Sequence, residues 1–177
     1  MRDRYASLKP DMIISSMASM PRRWRDAIRV DPPKKVDDFF TVEGPDGRSA
    51  AEHVGSVIAQ LTLLSRAIRT TSYRVPEPLS ADVAAAVNNL GSGPWPQSAS
   101  EGLSQLDDIF AELETQLKQT KTYDWNKAAS VTTSGAPADG VPSTSGSLSV
   151  LELAQGASRV AAEHLPLAER ILRSVSR

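Results

Sequence analysis

His53 and His164 are the only two histidines in a chain of 177 residues. Each falls within a long stretch of helical apolar spacing. Neutral imidazole is a standard ligand for zinc and also suits nickel and iron. Two imidazoles brought together from different helices are therefore the start of a metal centre. A catalytic zinc site takes three protein ligands and keeps one position open, and no third ligand stands out. The chain has no cysteine, so there is no thiolate ligand, no disulfide and no cysteine nucleophile. A plainer reading competes: a histidine on an apolar helix face is often a hydrogen-bonded core residue.

The elements that must position these two residues are helices. His53 belongs to a helix predicted to begin at Ser49, after the turn Pro45-Asp46-Gly47. Ser49 and Glu52 form a capping box. Val54, Val57, Ile58, Leu61, Leu64 and Ile68 make one stripe that ends near Thr71. His53 lies at the edge of that stripe, roughly 60–70° from its centre. His164 lies near the middle of the stripe of a last helix, from Ser147 or Ser149 to Val175. Val150, Leu153, Ala157, Val160, Ala161, Ala168, Ile171 and Leu172 share that face. Pro166 removes one backbone donor and frees the carbonyl of Ala162, which predicts a bend.

Two further long helices complete the pattern. The first spans Pro10 to Ile28, with Ile13, Met17, Met20, Trp24 and Ala27 at helical spacing. Pro21 should kink or restart it, with Ser19 as a cap for the restart. The other spans Ser98 to Lys121, with Ser98 and Glu101 as a second capping box and Leu106, Ile109, Phe110, Leu113 and Leu117 inward. Asp31 to Gly47 reads as a long connector anchored by Phe39 and Phe40. A short helix, Ser80 to Leu90, has a serine cap and a terminal Gly91. Gly93-Pro94-Trp95-Pro96 is a rigid loop. The stretch 128–147, rich in Ser, Thr, Gly and Pro, reads as a flexible loop. No strand pattern is convincing. The expected architecture is one all-α domain over residues 1–177: a four-helix bundle with long connections and an extra short helix.

Other chemistry finds little support. There is no P-loop and no Gly-x-Ser-x-Gly elbow. Asp107 and Asp108 point about 100° apart on their helix and do not share a site. The formal net charge is −1, which gives no reason to expect nucleic acid or an anionic membrane. No apolar run approaches the ~20 residues of a membrane span. The N-terminus, Met1-Arg2-Asp3-Arg4, has no signal-like apolar core after it, and the expected location is the cytoplasm.

The ordered set of motifs resembles a known family. The stretch from Asp46 to Val57, with the turn Asp46-Gly47-Arg48-Ser49 and His53 on the helix that follows, looks like the second-helix signature of the DinB-like superfamily. That superfamily includes the actinobacterial mycothiol-dependent maleylpyruvate isomerases and related thiol transferases. Leu148 through Leu165 resembles its fourth helix, and Met20-Pro21-Arg22-Arg23-Trp24 its first. Trp125 follows the third helix as expected. The resemblance implies a divalent metal, zinc or nickel, held by one His on the second helix and a His-x-x-x-His pair on the fourth. This chain departs from that pattern. The second-helix position falls on Ser56, one turn after His53. The fourth-helix pair falls on Arg159 and Glu163 in one register and on His164 and Ala168 in another. Periodicity favours the second register. Arg48 also replaces the usual Trp.

The resemblance therefore implies a DinB-like protein with a degenerate metal site, non-catalytic or altered in metal binding, that acts as a ligand- or partner-binding module. The alternative is an active divalent-metal-dependent thiol transferase or isomerase. The expected partners are a small-molecule thiol or a protein, and homodimerisation is compatible with the apolar helix faces. No cofactor is expected on the first reading. Glu163 is expected on a solvated face, pairing with Arg159.

Overall fold

A computed structural model describes residues 3–30, 34–73, 75–132 and 144–177. The described chain is predominantly helical. Four long helices carry the core: α1 (Pro10–Ala27), α3 (Ala50–Thr71), α5 (Ala99–Gln119) and α6 (Val150–Val175). Two short ones, α2 (Asp37–Phe40) and α4 (Ala81–Val87), lie in the connections. Helix α1 packs against α5 and α6, and α3 packs against α5, α6 and α4. Leu61, Leu64, Leu106, Leu113, Val160 and Trp24 are fully buried between them. Phe40 on α2 is likewise buried and ties the first connector to the core. Among the described residues no helix is long and apolar enough to cross a membrane.

The helix starts follow from their caps. Ser49 accepts from the Glu52 amide while the Glu52 carboxylate accepts from the Ser49 amide, and Ser149 and Glu152 repeat the arrangement on α6. Four otherwise orphaned donors are satisfied in this way. The start of α5 is only half a box. Ser98 accepts from the Glu101 amide, but the Glu101 carboxylate reaches the Gln97 amide instead. Pro21 does not restart α1, which runs through it. Ser19 caps nothing; its hydroxyl donates to the Ser16 carbonyl. Pro166 likewise lies within α6, which continues to Val175.

Two expectations are corrected outright. The stretch read as a loop contains strands β1 (Ala128–Thr132) and β2 (Thr144–Ser149), paired antiparallel with Ala128 opposite Ser149 and Ser130 opposite Ser147. Residues 133–143 of the expected loop lie outside the described residues. The Leu79 amide and carbonyl add two bonds to β1, at Ser130 and Thr132. Ala129 and Val131 are buried, so one face of β1 serves the core.

The short helix also ends differently. It stops at Val87, and Asn89, not Gly91, makes the left-handed turn, at φ 59°. The Leu90 amide donates to the Ala85 carbonyl and the Asn89 amide to the Ala86 carbonyl, the paired bonds of a Schellman motif. Asparagine tolerates this conformation better than other residues with a side chain. Ser80 occupies the N-cap position without a side-chain bond.

Candidate functional site

Helices α3 and α6 are neighbours, and they bring the two histidines into contact. His53 Nδ1 lies 2.8 Å from His164 Nδ1, and the ring centroids are 5.1 Å apart. Both residues are buried, at 2% and 4% exposure. A separation of 2.8 Å is that of a hydrogen bond, so one of the two nitrogens carries a proton. Desolvation, and then the nearby Arg48 cation, hold the His53 imidazole below its ordinary proton affinity. Desolvation, His53 and Arg48 push His164 down to about 4. The pair is therefore two neutral rings sharing one N–H···N bond near neutral pH.

The pair sits in a polar network that spacing did not reveal. His164 Nε2 is 2.8 Å from Asn89 Oδ1. Gln60 Nε2 donates to the same oxygen at 3.1 Å and to the Ser56 carbonyl at 3.2 Å. The Gly91 amide donates to Gln60 Oε1 at 3.0 Å. Asn89 Nδ2 donates to Glu163 at 3.1 Å. Gln60 had a detectable signal: it lies seven residues after His53, two turns along the same helix. Asn89 had none, because it reaches the site from the loop after α4.

The family-equivalent positions are placed as follows. Ser56 is buried; its hydroxyl donates to the Glu52 carbonyl and accepts from Arg48 at 2.8 Å. Ala168 is buried on the same side of α6 as His164. Arg159 and Glu163 do not pair with each other on a solvated face. Arg159 pairs with Asp3 and donates to the Val87 carbonyl at 3.0 Å, while Glu163 holds Asn89. Both are half-buried against the α4 segment. Glu52 is committed to its cap.

These residues fit a divalent cation poorly. A metal bound at ~2.0–2.1 Å to two nitrogens 2.8 Å apart would hold them at an angle of roughly 85°, far from tetrahedral. It would also displace the shared proton. Arg48 brings a guanidinium to Ser56, so the position of a third ligand faces a positive charge. Among the described residues, no group of three or more His, Asp or Glu side chains is placed to hold a metal. The arrangement instead suits hydrogen bonding among neutral groups at its centre, two imidazoles and two carboxamides, bordered by the Glu163 carboxylate and by the Arg48 guanidinium on Ser56. Compared with known proteins, the chain matches no family model, no curated sequence and no solved structure.

Proposed function

We propose that this chain is a DinB-like four-helix bundle protein, related by descent to the metal-dependent mycothiol S-transferases and isomerases. On this reading the metal site has become a neutral hydrogen-bonded network. The protein acts as a ligand- or partner-binding module and does not carry out metal-dependent thiol transfer. The observation that supports this most is the direct His53–His164 contact, with the Arg48 guanidinium bonded to Ser56 beside it. A proton occupies the space where a cation would bind, and a cation occupies the approach of a third ligand. The order of the motifs along the chain supports the kinship.

A second reading has one feature in its favour. Histidines from α3 and α6, the helices that correspond to the family's second and fourth, do meet. A rotation of both rings would turn the pair into two ligands of a divalent-metal-dependent transferase, with zinc or nickel polarising a small thiol. Elemental analysis of the purified protein separates the two. The first reading expects zinc and nickel far below one per chain. About one equivalent, lost in His53→Ala or His164→Ala, overturns it in favour of the second.

A further inference from the structure

The C-terminal ends of α1 and α6 share a cleft of about 930 Å³ with the connector that follows α1. That volume lies at the upper end of the range for small-molecule pockets. Its floor is apolar. Ala27 and Ile28 are buried there, and Val30 and Val36 pack against the core beside them. Covering such side chains with an apolar group removes surface from water, which is favourable in itself.

The rim of the cleft is charged, and its side-chain charges do not cancel. Asp26 pairs with Arg29 at 3.1 Å, and Glu169 pairs with Arg173 at 2.5 Å. Two lining cations are left over. Lys34 Nζ donates to the Ser176 carbonyl and lies 5.6 Å from the centre of the Phe39 ring. Neither of those partners carries a charge. Among the described residues Arg177 forms no ion pair with a carboxylate side chain. Lys34 touches the residue immediately before Arg177, so the two cations stand on one side of the cleft. Cations also gather at helix C-termini to answer the last carbonyls, and Lys34 does this at Ser176. That role needs one ammonium against the helix end. It does not account for an apolar floor with a guanidinium beside it.

We propose that this cleft binds a small organic anion, an apolar ring or chain bearing one carboxylate. The apolar part rests on Ala27, Ile28, Val30 and Val36, and the carboxylate meets Lys34 and Arg177. The Lys34 ammonium has three donors and Ser176 uses one of them. The Arg177 guanidinium offers a planar fork that matches both oxygens of a carboxylate. A neutral ligand of the same shape leaves both cations unmatched, and a cationic one is repelled by them. The site goes beyond the reading above and does not depend on it. Arg173 lies more than two turns of α6 beyond His164, and no residue of the polar network lines the cleft.

Amide ¹H–¹⁵N spectra of the full chain, titrated with 2-naphthoate, test this directly. The expected result is saturable shifts at Ile28, Val30, Val36 and Ser176, with Asn89 and Gly91 unmoved. 2-Naphthamide has the same shape without the charge and should bind about tenfold more weakly. Acetate has the charge without the apolar body and should not saturate. Lys34→Gln and Arg177→Gln should each weaken 2-naphthoate about five- to tenfold. Lys35→Gln, next in the chain but outside the lining, should leave it unchanged. Equal binding of the two naphthyl probes, shifts centred on the polar network, an equal loss in Lys35→Gln, or no saturation by about 1 mM would each overturn the proposal. None of these outcomes turns on metal content, so bound metal would defeat the functional reading and leave this site standing.

Discussion

At the scale of single residues, the His53–His164 pair makes stability depend on pH. Both imidazoles are lowered in the folded protein, chiefly by desolvation, His164 to about 4. An unfolded histidine titrates near 6.5. Above that value both states are neutral and the pair costs nothing in protons. Between about 6.5 and 4 the unfolded chain binds protons that the folded chain refuses, so stability falls as pH falls through this window. The loss is on the order of a few kcal/mol. Arg48 and Arg170 oppose the charge on His53, while Asp46 and Glu52 favour it. Urea unfolding at pH 7 and pH 4.5 should show the drop. A His53→Leu/His164→Leu double variant, which removes both partners together, should lose most of the slope. Equal slopes in the two proteins would assign the pH dependence to carboxylates.

Elements are held here by close approach as much as by pattern. Gly156 on α6 faces α4, and a Cβ built there would lie 2.8 Å from the Val87 Cα. Backbone cannot yield as a flexible side-chain tip can. Gly156→Ala should therefore destabilise the protein by about 1–3 kcal/mol, despite a gain of about 1 kcal/mol in helix propensity. A thermal or urea midpoint that rises would show that α4 can withdraw freely. This contact bears on what the sequence reveals. Ser49 and Glu52 declared their helix start because a capping box is local chemistry, whereas the start of α6 stayed open between Ser147 and Ser149 although Ser149 and Glu152 make the same box. The apolar stripes declared the long helices for the same reason. Asn89 was hidden because Gly91 offered an equally good helix stop, and the choice depended on Gln60, 29 residues earlier in the chain. Strand β1 was hidden because only Ala129 and Val131 face the core, too short an alternation to notice. The two histidines were legible as a pair; the Asn89 carboxamide bonded to His164 was not, because it comes from another element.

At the scale of the whole molecule, α3 and α6 form the most extensive helix pair, and α3 takes the larger share of the polar network. It packs against α4, α5 and α6 and carries three of the residues in the polar network. Its Leu64 is fully buried, whereas Leu90, in the loop beyond α4, is 77% exposed. Leu64→Ala should cost about 2–5 kcal/mol, the removed methyl groups plus the cavity they leave. Leu90→Ala should stay within about 0.5 kcal/mol. A domain of this size is stable by only about 5–15 kcal/mol, so the first change removes a large share. If one core unites helices and hairpin, that loss appears as a lower urea midpoint with an unchanged slope, since the same surface is exposed on unfolding. Helix circular dichroism and the fluorescence of Trp125, isolated by Trp24→Phe and Trp95→Phe and reporting from the turn before β1, should then move together. Trp125 is buried beside α6. Separate transitions for the two probes would mean that the hairpin, which packs on α6 and α4, is a satellite of the helices.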